Sequence, residues 1–295
     1  MRVLVTGARG FVGTALVNRL TQRQHQVAAI DRDELDVCDA SSVDAFVKAQ
    51  PPDAVVHLAG QSSVARSFAD PVGTYRSNVL GTVCVLAAVQ RHAPTARVVV
   101  ASSAEVYGRV GPGELPVHEL HPTRPANPYG GSKLAMETAA LQYRDALGLD
   151  VIVARSFNAV GPGQSIDFAI PSFAAQLAAI SRGDAEPVLR VGNLDVTRDL
   201  IDVRDAACAL DTLATEGVPS GVYNICAETG VSIQAALDEL VRLSGLQVVV
   251  VPDPTRMRPV DIPVMVGSAG RLRAATGFEP RVPLEQSLAD LLASV

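Results

Sequence analysis

Short apolar runs and helical repeats alternate through the first half of the chain. Arg2–Thr6 reads R-V-L-V-T, a β-branched run that passes into glycine-rich sequence. Residues 11–20 then place Val12, Leu16 and Leu20 at helical spacing. Q-V-A-A-I-D (26–31) is a second strand, ending in an acid. Val43, Phe46 and Val47 mark a helix, and A-V-V-H-L-A-G (54–60) a third strand. The pattern predicts helices over 74–91 and 129–148 and strands over 97–103 and 150–157. Such alternation implies right-handed βαβ crossovers and a parallel sheet, and strands this continuously apolar fit a sheet covered on both faces.

After G-P-G-Q (161–164) the alternation lapses. A helical pattern covers 170–182, candidate strands lie at 188–191, 222–225 and 248–251, and a closing helix over 283–292 starts at a proline. The expected architecture is α/β. A Rossmann-type doubly wound parallel sheet spans 1–160, with parts of 193–225 returning to it. A smaller C-terminal α/β lobe over 161–295 would hold the substrate.

Composition narrows the field. The chain of 295 residues is 48% apolar and carries a net charge of −6. It lacks the basic stripe of a nucleic-acid binder. Lysine is scarce: Lys48 and Lys133 stand against 23 arginines. Cys38, Cys84, Cys208 and Cys226 are too scattered for a zinc site or a disulfide framework. A strand starting at residue 2 leaves no room for a signal peptide, and no apolar run reaches the roughly 18 residues of a membrane span. A soluble, cytoplasmic protein without a metal centre is expected.

Two stretches carry chemistry. T-G-A-R-G-F-V-G (6–13) joins the first strand to the first helix, with Gly7, Gly10 and Gly13 three apart. Glycine lets a backbone bend tightly and approach a pyrophosphate, and the following helix N-terminus favours anions. Phe11 and Val12 begin that helix. Asp31 closes the second strand where a carboxylate accepts hydrogen bonds from ribose hydroxyls and repels a 2′-phosphate, favouring NAD(H). Arg32 follows at once and could pair with that phosphate, which keeps NADP(H) open. Asp36, beside Val37, is placed to reach an adenine amino group or to be a solvated loop acid.

The second stretch is N-P-Y-G-G-S-K (127–133). On a helix Tyr129 and Lys133 lie one turn apart on one face. A neighbouring ammonium favours phenolate and would lower the phenol's pKa. Upstream, V-A-S-S-A-E-V-Y-G (100–108) ends a buried strand in Ser102 and Ser103, with Glu105 two residues on. His57, inside an apolar strand, reads as a packed core residue.

These motifs, with H-L-A-G (57–60), N-V-L-G-T (78–82), R-S-F-N-A-V-G-P-G-Q (155–164), T-R-D-L-I-D-V-R-D (197–205) and R-P-V-D-I-P (258–263), occur in the same order in extended short-chain dehydrogenases/reductases. The chain resembles that family over essentially its whole length. V-G-N-L-D-V-T-R-D and R-P-V-D-I-P-V-M-V-G-S look most like its GDP-sugar branch, the GDP-mannose 4,6-dehydratases and the GDP-4-keto-6-deoxymannose reductases. The resemblance implies that Tyr129 exchanges a proton with the sugar O4, that Lys133 binds the nicotinamide ribose and that Ser103 hydrogen-bonds the reacting oxygen. Leu58, Ala59, Gly60, Asn78, Ser102, Ser156 and Phe157 would line the cofactor. Gln61, Ser62, Ser63, Asn158, Val191, Arg198 and Arg258 would face a nucleotide-diphosphate sugar, the arginines as bidentate partners for phosphate, with an internal ion pair the alternative for Arg198. A homodimer is implied, held by helices 74–91 and 129–148.

Glu105 occupies the place of the C5 base of the dehydratases, although reductases of the branch can carry a Glu there too. A short chain and an abbreviated D-R-D-E-L-D-V-C-D (31–39) favour the reductase. The expected reaction is reduction of C4 of a GDP-4-keto-6-deoxyhexose by NAD(P)H. The alternatives are GDP-mannose 4,6-dehydration, 4-epimerisation, and a non-enzymatic NAD(P) sensor, which would have little need of Ser103, Tyr129 and Lys133 together.

Overall fold

The computed structural model describes residues 1–257 and 262–295. In chain order the first elements are β1 (Arg2–Thr6), α1 (Phe11–Gln22), β2 (Gln26–Ile30), α2 (Ala40–Ala49), β3 (Ala54–His57), α3 (Val64–Ala69), α4 (Pro71–Tyr75) and α5 (Gly81–His92). Then come β4 (Arg97–Ser103), α6 (Pro128–Leu147), β5 (Asp150–Ser156), β6 (Asn158–Val160), α7 (Ala169–Ser181), β7 (Val188–Val191) and β8 (Thr197–Asp202). The chain closes with α8 (Val203–Thr215), β9 (Gly221–Ile225), β10 (Gly230–Ser232), α9 (Ile233–Ser244), β11 (Val249–Pro252), β12 (Val264–Met265), α10 (Gly270–Thr276) and α11 (Leu284–Ala293).

A six-stranded parallel sheet runs in the order β2-β1-β3-β4-β5-β9. Leu16 and Leu20 of α1 and Leu210 and Leu213 of α8 cover one face. Val43 and Val47 of α2, Leu86 and Val89 of α5 and Met136 of α6 cover the other. Val55, Val56, Val98, Val99, Val100 and Ile152 are wholly buried between them. With both faces closed, a ligand can enter only along the strand ends. The reversal of strand order between β1 and β3 opens a crevice at their carboxyl ends.

A second core lies outside the sheet, where α7, α9 and α11 bring Phe173, Leu177, Leu237, Leu240, Leu288 and Leu291 onto Leu189 and Val191 of β7. β8 bridges the two regions, pairing in parallel with β6 and β12 and antiparallel with β10. Hydrophobic spacing did not single out α3, α8, α9 or α10, although α9 buries Ile233, Ala236, Leu237 and Leu240 at helical intervals. In β8 the sequence showed an apolar strand only after Asp199, because the buried, acid-bearing T-R-D at its start does not read as apolar.

The helix expected over 74–91 differs in form. It is a continuous run, Pro71–His92, broken by a π-helical turn at Arg76–Leu80. By length and composition this run could cross a membrane, whereas the sequence showed no apolar stretch that long. Half of it is buried, and its Cys84, Val85, Leu86, Ala88 and Val89 pack under the sheet. That is the environment of a core helix. The four cysteines are free thiols.

Gly13 fixes the approach of α1 to the turn before it, because a Cβ there would lie 2.2 Å from the Gly7 carbonyl oxygen. Gly13→Ala must push the helix off its strand. The expected cost is about 1–3 kcal/mol, read as a lowered urea midpoint with an unchanged denaturant slope.

Candidate active site

The turn after β1 is shaped by close approach. Gly7 has φ of +70°, and a Cβ on it would stand 2.8 Å from the Ala59 amide nitrogen. Its carbonyl accepts from the Gly10 N–H at 3.1 Å. Gly10 caps α1 without any side-chain hydrogen bond, so the first amides of the helix are left for another acceptor. The Asp31 carboxylate accepts from the Arg9 N–H at 3.0 Å and from the Arg32 N–H at 2.7 Å, which ties the turn to the end of β2. The Arg9 guanidinium pairs with Asp33 at 3.5 Å and with Glu34. This cradle has the shape and charge to take a dinucleotide, with pyrophosphate on the α1 amides and adenosine ribose at Asp31.

At the other end of the crevice, β4 and α6 build a reactive cluster. Asn127 caps α6, its amide oxygen accepting from the Gly130 N–H at 2.8 Å, and Pro128 sits in the first turn. One turn on, Tyr129 and Lys133 are both buried. Two glycines bring this helix close: a Cβ on Gly130 would meet the Glu105 carbonyl at 2.6 Å, and one on Gly131 the Tyr75 hydroxyl at 2.6 Å. Burial pushes the Tyr129 phenol up to about 12, the nearby Ser103 hydroxyl pulls the other way, and the Glu105 carboxylate adds to the rise. Glu105 itself accepts from the Asn127 amide at 2.7 Å.

Lys133 Nζ donates to the Ala101 carbonyl of β4 at 2.7 Å and lies 5.9 Å from the centre of the Tyr129 ring. Burial pushes this ammonium down to about 8, against the pull of the Glu137 carboxylate. The sequence suggested that Lys133 would draw Tyr129 toward phenolate. In the protein without cofactor, burial is the largest influence on the phenol and raises it.

The model of the NAD dependent epimerase/dehydratase family matches residues 3–226. The chain belongs to the NAD dependent epimerase/dehydratase family. It is 37% identical over 293 residues to a GDP-6-deoxy-D-mannose reductase of Pseudomonas aeruginosa, covering 99% of this chain and 96% of that protein. It is 31% identical to a GDP-6-deoxy-D-talose 4-dehydrogenase of Aggregatibacter actinomycetemcomitans, covering 95% and 93%. Among solved structures, one from Pseudomonas aeruginosa complexed with NADPH superposes with a TM-score of 0.91 at 37% identity, over 99% of this chain and 98% of that one. The Thermus thermophilus UDP-glucose 4-epimerase complexed with NAD gives 0.88 at 28%, over 100% and 98%.

In this epimerase/dehydratase chain most residues singled out from sequence gather along the carboxyl edge of the sheet. Leu58, Ala59 and Gly60 follow β3, with Lys133 Nζ 3.9 Å from where a Gly60 Cβ would stand. The π-helical turn delivers Asn78, 1% exposed, whose amide donates to the Gln61 carbonyl at 3.0 Å and to Ser132 at 2.8 Å. Ser156 lies beside Ser103 in register. The Phe157 ring packs so tightly on Gly267 that a Cβ there would overlap it, at 2.4 Å. Asn158 and Ser62 are exposed, and Ser63 caps α3. Asp36 accepts from the Cys38 N–H at 3.0 Å, and Val37 packs on Gly81.

Four expectations change. Ser102 does not turn its hydroxyl to a cofactor; it points to the opposite face of β4 from Ser103 and donates to Glu137. Val191 is 1% exposed within the second core, so its side chain is packing rather than substrate contact. The Gln61 side chain binds its own loop, through Ser63 and Thr74. Arg198 is buried, its guanidinium donating to the Thr197 and Ile262 carbonyls at 2.9 and 2.7 Å. Asp199 beside it accepts from the Ala227 and Gly267 amides. Arg258 lies outside the described residues. His57 is a satisfied core residue, bonded to Thr6 at 2.7 Å and Thr82 at 3.1 Å and pushed down to about 3 by burial.

Sequence reasoning passed over Asn127, Glu137 and Arg155. Asn127 carried a legible signal, an Asn immediately before the helix proline. Because it both caps α6 and holds Glu105, Asn127→Ala is expected to cost about 1–2 kcal/mol of stability, measured by urea denaturation. An unchanged midpoint would show that the cap does not seat the helix.

Proposed function

We propose that this protein is a nucleotide-sugar reductase that passes hydride from a bound nicotinamide to C4 of a GDP-4-keto-6-deoxyhexose. The observation that carries the reading is the buried Tyr129 phenol, which burial pushes toward its acid form, near Ser103 and beside the Lys133 ammonium. Reduction of a ketone needs a proton donor at the carbonyl oxygen, and a phenol held in its acid form is that donor. The names of the two GDP-sugar relatives point to the same substrate class.

The reduced nicotinamide supplies the hydride when bound. Gly7, Gly10 and the amides of α1 would take its pyrophosphate, Asp31 its adenosine ribose and Lys133 its nicotinamide ribose. Ser103 and Tyr129 would both hydrogen-bond the sugar O4, orienting the carbonyl and polarising it. As charge develops on that oxygen, Tyr129 gives up its proton, and the nearby ammonium steadies the phenolate left behind. The burial of Tyr129 limits the access of water to the exchange.

Asp31, Asp33 and Glu34 crowd the end of β2 and occupy Arg9, which favours NADH over NADPH. Replacing both Asp33 and Glu34 by their amides frees Arg9 for a 2′-phosphate. The expected result is a fall of roughly tenfold in the ratio of NADPH to NADH dissociation constants, measured by nicotinamide fluorescence. No change in the ratio would remove Arg9 from the adenosine site. A second copy of the chain is the expected partner, and Val72, Leu80 and Leu147 offer exposed apolar surface on the two helices concerned.

Glu105 supports a second reading. Its carboxylate is close enough to Tyr129 to act on it, as a C5 base would have to be, and a dTDP-glucose 4,6-dehydratase of Streptomyces antibioticus is 34% identical over 76% of this chain. Two incubations separate the readings. A reductase consumes NAD(P)H with GDP-4-keto-6-deoxymannose and leaves GDP-mannose untouched. A dehydratase forms keto-sugar from GDP-mannose without net cofactor use. In the reductase, Tyr129→Phe should lower turnover by at least ~100-fold with folding unchanged.

A further inference from the structure

The face of the central sheet under α6 carries a row of polar side chains where an α/β core is normally apolar. Ser102 of β4, Arg155 of β5 and Asn224 of β9 stand side by side in parallel register. All three are at most 5% exposed. The carboxylate that organises the row comes from the helix. Glu137, 2% exposed, accepts from Arg155 Nε at 3.0 Å, from Arg155 Nη2 at 2.7 Å and from the Ser102 hydroxyl. Arg155 continues to the Tyr107 hydroxyl and the Glu119 carbonyl, both at 3.1 Å, and Tyr107 donates to Asn224 at 2.7 Å.

Stability alone is a poor reason for such a row. A buried ion pair spends most of its attraction on desolvation, and apolar residues of similar volume often do as well or better. Its position suggests another reason. Lys133 and Glu137 are one turn apart on α6, and they dock on Ala101 and Ser102, adjacent residues of β4. Lys133 is otherwise short of negative charge. The ionisable groups that act on or face it are Tyr129, a neutral phenol on its own helix, and His57 of β3, a neutral imidazole. Glu137 is the carboxylate that acts on it, with Arg155 of β5 behind that carboxylate.

We propose that Glu137, clamped by Arg155 and Ser102, is a positioning residue for Lys133: it locks the turn of α6 that carries the lysine onto β4 and supplies the counter-charge that keeps the buried side chain an ammonium. Arg155 and Ser102 fix the Glu137 carboxylate in place. The proposal rests on Lys133 serving the cofactor site, but its test does not require turnover.

Lys133 and the exposed Lys48 are the chain's only lysines, so ε-13C-lysine labelling yields two NMR signals and Lys133 can be titrated directly. In the wild-type protein Lys133 should titrate near 8. In Glu137→Gln the midpoint should fall by about one pH unit, and the alkaline limb of kcat/KM should move down with it. Glu137→Gln leaves Arg155 unbalanced, so Glu137→Gln/Arg155→Gln is made as well, removing both charges of the pair. It should fold and show the same lowered Lys133 midpoint. Glu137→Asp, which keeps the charge, should restore most of the shift. A Lys133 midpoint unchanged in a folded variant overturns the proposal. Failure of both Gln variants to fold also overturns it, by assigning the pair to stability. If wild type turns over no keto-sugar, the midpoint still reports on Glu137, and only the reductase reading fails.

Discussion

The seating of α6 on β4 is the contact on which the rest of the site depends. β4 lies in the middle of a sheet closed on both faces, so its side chains must either be apolar or find partners on the helix above it. Val98, Val99 and Val100 take the first course. At the carboxyl end the strand takes the second: the Ala101 carbonyl receives Lys133, Ser102 receives Glu137, and Ser103, on the other face, meets Tyr129. Gly130 permits the approach, because any side chain there would strike the Glu105 backbone. A displacement of one helical turn would separate the proton donor, the ammonium and the hydroxyl together.

This seating buries the reactive groups deeply, and desolvation then sets their protonation. The phenol is pushed up and the ammonium down, each toward its neutral form. An uncharged phenol suits a donor to a ketone oxygen. An ammonium close to losing its charge does not suit the ribose-holding, phenolate-steadying role proposed for Lys133, which is why the carboxylate one turn away matters. The adenosine end of the crevice has the opposite character. There the charges of Arg9, Asp31, Asp33 and Glu34 meet at the solvent edge of the sheet.

Much of this was legible in the chain. The βαβ alternation, the glycine turn, the acid at the end of β2 and the tyrosine–lysine turn are local patterns, and each lies where it was read. What could not be read was long-range. Ser102 and Ser103 are adjacent letters, yet strand alternation sends one to a buried ion pair and the other to the phenol. Arg155 looked like part of a motif, and only strand register shows it facing Ser102 and Glu137. Val191 lost its expected role because the packing of α7 and α9 on β7 is invisible in a four-residue apolar run. The rise of the Tyr129 phenol in the protein without cofactor was hidden for a related reason: a neighbouring charge can be inferred from spacing, but depth of burial cannot.

The central claim is that hydride from a reduced nicotinamide ends on C4 of the sugar, with the proton from Tyr129. It is tested most directly by following a label. The protein is given GDP-4-keto-6-deoxymannose with NADH or NADPH deuterated at C4 on one face, then on the other, and the product is examined by NMR. Reduction at this site places one deuterium at C4 of the sugar from one face of the nicotinamide only. A product without deuterium at C4 from either face, or deuterium found at C6, would contradict it.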